Sequence, residues 1–258
     1  MALFQSGNPT LSEKIFDKSR FIEGQMQGVM TVRGTINKFG FLMLMVVAGA
    51  AYTWHLYYTG NISTMMGFFW FGLIGGLISA LVITFKPTYA KVIAPAYGIL
   101  EGLVLGAFSA LVNGMVSATY HGIVFQAVGL TFGVAFIVFL LYNFRIIRPT
   151  QKFKAIIITA SLGVFLLYGV YWILWMFNIN MPFMNWGDTS LLGFGINIFV
   201  AAIAALSLIL DFERIEAGAD MGAPKEMEWY GAFGLLVTMV WLYIQILKLL
   251  SRFANSRN

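Results

Sequence analysis

The sequence predicts an all-α, polytopic membrane protein with seven transmembrane helices. Two observations lead there. Of 258 residues, 59% are apolar and only 10% are Asp, Glu, Lys or Arg, whereas a soluble domain carries about 25% charged residues. The few charges also cluster between long apolar runs, so a water-facing surface could not be covered. Seven runs are long enough for a helix to cross a hydrocarbon core of roughly 30 Å, which takes about 20 residues. The same composition, with no Cys and two His, excludes a disordered chain, a disulfide-framed domain and a Cys-ligated metal site.

The runs cover 39–58, 64–85, 92–112, 122–142, 154–177, 190–210 and 229–250. Each gap carries a turn or helix-stop signal: Thr59-Gly60-Asn61, Lys86-Pro87, Asn113-Gly114, Arg148-Pro149, and Asn178 to Gly187 with Pro182. The longest gap, Asp211 to Glu228, is acidic and holds Gly218, Gly222 and Pro224. The runs are continuous rather than alternating, which excludes barrel strands. The expected organisation is an N-terminal segment 1–38, a transmembrane domain 39–252 and a tail 253–258.

Lys and Arg set the orientation. Lys14, Lys18, Arg20, Arg33, Lys38, Lys86, Lys91, Arg145, Arg148, Lys152, Lys154, Arg214 and Lys225 fall on one side, against Lys248, Arg252 and Arg257 at the other. The N-terminus is therefore expected in the cytoplasm. The three C-terminal charges oppose the rule mildly and leave open a last helix that enters without crossing. In the N-terminal segment, Leu11, Ile15, Ile22, Met26, Val29 and Met30 recur at helical spacing among basic residues. That pattern suits a basic amphipathic segment on the inner leaflet or a solvated tail.

Lipid gives helices no hydrophobic reason to associate, so close backbone approach has to supply it. The third run places Ala94, Gly98, Gly102, Gly106, Ala110 and Gly114 at every fourth position. This packing stripe predicts close contact with a neighbour, and Gly67, Gly72, Gly75 and Gly76 nominate the second span.

Polar groups at membrane depth are costly and mark candidate functional positions. Glu101 lies near the middle of the third run beside the glycine stripe. It is a candidate for carrying a proton or contacting a cation; the alternative is a neutral structural acid. On the sixth run Gly193, Asn197, Ala204, Ser207 and Asp211 fall within about 80° of one another. Arg214 is placed to pair with Asp211 three residues away. The seventh has a matching face of Gly231, Gly234, Thr238, Trp241, Gln245, Lys248 and Arg252. Two such stripes facing each other would line a narrow polar path, with the seventh helix central. Glu213, Glu216, Asp220, Glu226 and Glu228 make the last connection acidic, either as a solvated loop or as an attractor of cations.

Leu210-Asp211-Phe212-Glu213-Arg214-Ile215, followed by a final span ending Trp241-Leu242-Tyr243-Ile244-Gln245-Ile246-Leu247-Lys248-Leu249-Leu250, resembles the Bax inhibitor-1 family. Asn8-Pro9, Met30-Thr31-Val32-Arg33-Gly34-Thr35-Ile36-Asn37-Lys38, Glu101-Gly102-Leu103, Gly222-Ala223-Pro224-Lys225 and Met227-Glu228-Trp229-Tyr230 are similar to a bacterial Bax inhibitor-1-like subgroup. The resemblance implies seven helices, the last enclosed by the other six, and a pH-sensitive calcium leak. In that pattern two acids, one late in the sixth helix and one in the seventh, share a proton and latch the path. Asp211 matches the first position. The second falls on Gln245, which cannot titrate. Asp211 then gates alone, or Glu101 supplies the second carboxylate, or proton sensing is absent.

Two functions follow. The first is a cation leak, with Ca2+ the expected ion, for which Asp211, Glu101, Asn197, Ser207 and Gln245 line the path and Asp211 and Glu101 make transient metal contacts through oxygen, as a hard cation requires. The second is a regulatory protein that modulates a membrane-bound protease, as some bacterial relatives do. Expected partners are the lipid bilayer, Ca2+ and H+, with a membrane protein as a further candidate and no nucleic acid. No cofactor and no enzymatic activity are expected: neither His is deep enough for an intramembrane serine protease, and Lys248 lies too near a helix end for a retinal Schiff base. The subgroup resemblance points to a bacterial cytoplasmic membrane.

Overall fold

A computed structural model describes residues 28–116 and 122–256. The expected amphipathic pattern from Leu11 to Met26 lies outside these residues. Seven long helices follow in order: α1 Val32–Tyr58, α2 Ile62–Phe85, α3 Ala90–Val116, α4 Ile123–Asn143, α5 Gln151–Met176, α6 Leu191–Asp220 and α7 Met227–Asn255. Each is long and apolar enough to cross a membrane. At 1.5 Å per residue α7 is about 43 Å long, so it can cross fully rather than merely enter.

Three of the helices start where a side chain takes up a free backbone donor. Thr31, Thr150 and Ser190 cap α1, α5 and α6 by accepting from Gly34 N, Phe153 N and Gly193 N at 2.9, 3.2 and 3.1 Å. Helix α1 begins at Val32, seven residues before the apolar run, because this cap and Lys38 have partners elsewhere in the protein. Before it the chain is extended: Val29 bridges Pro224, and Met30 N donates to Ala223 O at 2.8 Å. Met30 is buried against Gly218 and Gly231. Val29 and Met30, read as part of a basic amphipathic segment or a solvated tail, thus tie the start of α1 to the α6–α7 turn instead.

The larger correction concerns the last connection. Helix α6 does not stop at Leu210 but runs on to Asp220, leaving only a short turn through Gly222 (φ 67°). Glu213, Glu216, Asp220 and Glu228 of the expected loop are helical, Glu226 stands at the N-cap of α7, and four of these five acids are paired with cations from other elements. Glu213 meets Lys154 of α5 at 2.7 Å, Glu216 meets Arg145 at 2.6 Å and Tyr142 of α4, Glu226 meets Lys91 of α3 at 2.6 Å, and Glu228 meets Lys38 of α1. The exposed pairs contribute little each, but the four together link every helix except α2 at one end, here termed the basic end. These four carboxylates are engaged rather than displayed to passing cations.

Glycines of α3 do bring a neighbour close, but it is chiefly α1 rather than α2. A Cβ at Gly98 would stand 3.1 Å from Met45 Cβ and 3.2 Å from Leu42 O; at Gly102 it would overlap Val46 O, and at Gly106 Ala50 O. Helix α2 packs on another side of α3, where a Cβ at Gly72 would lie 2.6 Å from Leu100 O. Gly67 meets nothing within 4 Å. Helix α7 is the most enclosed. It packs against α1, α3, α4 and α6, and Tyr168 of α5 reaches it, while α2 stands outside against α3 and α1. The outer faces of α2 and α5, with Phe71, Leu77, Phe165 and Trp172 exposed, form the apolar surface that a bilayer covers.

Candidate functional site

The polar stripes of α6 and α7 meet along one seam. Starting at the basic end, Asp211 is the first group. Its side chain is only 11% exposed, its Oδ1 lies 3.8 Å from Arg214 Nη1, and the Thr238 side chain of α7 faces it. Its Oδ2 is buried without a hydrogen-bond partner. Because α6 continues to Asp220, Asp211 sits well inside the helix rather than at its interfacial end. Ser207, one turn further in, donates to Ile203 O at 2.8 Å and so contributes little free polarity to the seam.

Beyond Asp211 the seam becomes apolar: Ala204 and Leu208 of α6 and Leu242 of α7 are almost completely buried. A second polar group follows about 21 Å along α6. Asn197 Nδ2 donates to Gln245 O at 3.1 Å and to Gln245 Oε1 at 3.2 Å, and Tyr168 Oη donates to the same Oε1 at 3.4 Å. Asn197 and Gln245 are both buried. Gln245 therefore belongs to an amide cluster with Asn197, not to a latch with Asp211. On α7 the residue opposite Asp211 is Thr238, two turns and roughly 10 Å before Gln245.

This pairing gives a direct expectation. Gln245→Leu removes the Oε1 acceptor shared by Asn197 and Tyr168 while Asn197 Nδ2 keeps the backbone Gln245 O, a loss of about 1–2 kcal/mol. The Asn197→Leu, Gln245→Leu double variant should lose less than the sum of the single variants, because neither polar partner is then stranded. Thermal unfolding of the detergent-solubilised protein reads both effects, and strict additivity would contradict the contact.

Glu101 is placed elsewhere. It lies beside Tyr97 one turn earlier on α3 and faces α2, with Oε2 3.6 Å from where a Gly76 Cβ would be. Tyr97 in turn packs edge-on against Phe233 of α7, centroids 4.9 Å apart. Glu101 and Asp211 have different neighbours, Tyr97 for one and Thr238 with Arg214 for the other, so the structure does not bring them together as a dyad. Among the described residues no group of three or more His, Asp or Glu could hold a metal ion. Ca2+ takes six to eight oxygen ligands, so either acid offers a passing ion a contact and not a cage. An open-sided cleft of about 480 Å³ between α1 and α4 is lined mainly by apolar side chains, among them Val47, Phe125 and Val240, and is not a polar path.

The far end of the seam was misread from the sequence. Lys248 and Arg252, counted there as charges opposing the orientation rule, are 5% and 1% exposed. They point into the protein, where backbone carbonyls of the α5–α6 connection receive them. The signal was present, since both share the helical face of Gln245, but a count of charges by loop ignores the face. Tyr168 and Asp188 had no sequence signal that would single them out.

The sequence matches the Bax inhibitor 1 like family over residues 8–255. No curated protein matches it.

Proposed function

This chain belongs to the Bax inhibitor 1 like family, and from that membership and the α6–α7 seam we propose that it is a cation leak protein, with Ca2+ the ion and protonation of Asp211 the control. The observation that carries the reading is Asp211 itself, a buried carboxylate inside a membrane-spanning helix with an unpartnered oxygen. An ionisable side chain at that depth in a membrane helix costs several kcal/mol, which marks it as a candidate functional group. Its ionised form attracts a cation and its neutral form does not, so flux is lost as the pH falls and Asp211 takes up a proton. Arg214 on the same helix and Thr238 on α7 are the groups facing it. With Gln245 engaged by Asn197, Asp211 titrates singly rather than as half of a pair.

The arrangement described is a closed one, because Ala204, Leu208 and Leu242 fill the seam between its two polar groups. Opening requires α6 and α7 to separate there. The basic end faces the cytoplasm of a bacterial cell in this reading: Lys38, Lys91, Arg145 and Lys154 gather at it, while Lys248 and Arg252 are internal and do not count against it.

The test is Ca2+ efflux from proteoliposomes between pH 5 and pH 8. Wild-type protein is expected to leak more at the alkaline end, and Asp211→Asn to give a low rate without pH dependence. Glu101→Gln should keep the wild-type profile. Wild-type efflux no greater than that of empty vesicles at every pH would end the leak reading and leave the regulatory one. An Asp211→Asn profile that still rises with pH would remove Asp211 from its role.

A further inference from the structure

Lys248 and Arg252 lie one turn apart on α7 at the end of the seam away from Asp211. Lys248 Nζ donates to Met184 O at 2.9 Å, and Arg252 Nη2 donates to Phe183 O at 2.7 Å and Asn185 O at 3.0 Å. The rings of Trp186 and Tyr168 stand 5.6 and 5.9 Å from Lys248 Nζ. Carbonyls and ring faces satisfy donors but cancel no charge. The carboxylate at hand is Asp188, whose Oδ2 is 3.6 Å from Arg252 Nη1, beyond hydrogen-bond reach, and already accepts from Ser190 Oγ at 2.6 Å.

Arg252 Nε and Nη1 are buried and have no hydrogen-bond partner among the described residues. The guanidinium also rests on the first turn of α6: a Cβ on Gly193 would overlap both Arg252 Nη1 and Asp188 Oδ2. Glycine at this position is what lets the charge approach the backbone so closely. The first turn of a helix carries the positive end of its dipole, which repels a cation. Among the described residues, two buried cations and a helix N-terminus thus face a single carboxylate. In a medium of low dielectric constant an uncompensated charge is costly, and so are two stranded donors.

We propose that this cluster is an anion-binding site, which takes a small monovalent inorganic anion of the halide or nitrate class against the Arg252 guanidinium. The excess is about one unit of charge, which is what a monovalent ion cancels. The ion would sit about two turns beyond Gln245 along α7 and relieve the positive barrier that a cation meets at this end of the seam. The site does not depend on the leak, because binding can be measured without transport.

The experiment uses the full-length protein in detergent, held at constant ionic strength with gluconate, while bromide or chloride is exchanged in. The melting temperature is followed together with the ³⁵Cl NMR line width. A saturable rise in melting temperature and a broadened, bromide-competable chloride line are expected. Asp188→Asn removes the competing negative charge and should tighten the apparent dissociation constant by at least about tenfold. Lys248→Gln should weaken it, and if that variant fails to fold, the Asp188→Asn comparison decides alone. A response that never saturates, or an Asp188→Asn protein with wild-type affinity, overturns the site.

Discussion

Glu228→Ala is expected to destabilise the protein by about 2–3 kcal/mol, the cost of removing the acceptor from a partly buried, charge-assisted set of hydrogen bonds. Glu228 is 2% exposed and forms an ion pair with Lys38. The same carboxylate accepts from Thr31 N and Thr31 Oγ1, each at 3.0 Å, while Thr31 caps α1. One side chain at the start of α7 thereby fixes both the cap and the first turns of α1. Removing it strands the partly buried Lys38 ammonium and frees the Thr31 amide. Glu228→Gln keeps an acceptor for Thr31 and should lose less. A Lys38→Met, Glu228→Met double variant, which leaves no unpaired charge, should recover much of the stability. Unfolding midpoints of the four proteins in one detergent provide the check, and a double variant worse than Glu228→Ala would refute the assignment.

Gly102→Val should be comparably severe. The added Cβ overlaps the carbonyl of Val46, and backbone cannot swing aside as a flexible side chain can. Overpacking a filled interior costs about 1–3 kcal/mol; here it also separates α1 from α3, whose association rests on this approach. Gly102→Ala should show a smaller loss. Gly129→Ala on α4 is the control, because a Cβ there meets nothing within 4 Å, and Ala outranks Gly in helices by about 1 kcal/mol. Monodisperse yield and melting temperature should fall in the order Gly129→Ala, Gly102→Ala, Gly102→Val.

Which parts of this architecture could be read from the sequence follows from what lipid demands. Every span had to be a continuous apolar run, so all seven were visible. Their ends were not, because charged residues can continue a helix when partners in other elements take them up. Glu213 and Glu216 do so with Lys154 and Arg145, which is why α6 reaches Asp220. The glycine period of α3 announced a close neighbour without naming α1, since the period describes one surface and not the surface that meets it. The same limit applies to the site. The stripes on α6 and α7 were legible as faces, but their register was not, so Asp211 is opposite Thr238 and Gln245 is opposite Asn197. Glu101 lies within α3 as its run implied, and yet turns to α2. Lys248 and Arg252 show that a charge near a helix end need not belong to the water outside.

The register between α6 and α7 bears most directly on how Asp211 acts, and a second carboxylate can be placed at each of two positions to read it. Thr238→Asp and Gln245→Asp should be compared for Ca2+ efflux against pH in the same vesicles. A carboxylate at position 238 adjoins Asp211, so the pair should titrate in two separated steps and the efflux profile should split or shift by at least about one pH unit. A carboxylate at position 245 is two turns away and should leave the wild-type midpoint in place. If Gln245→Asp moves the midpoint and Thr238→Asp does not, Asp211 faces a different part of α7 and the account is wrong.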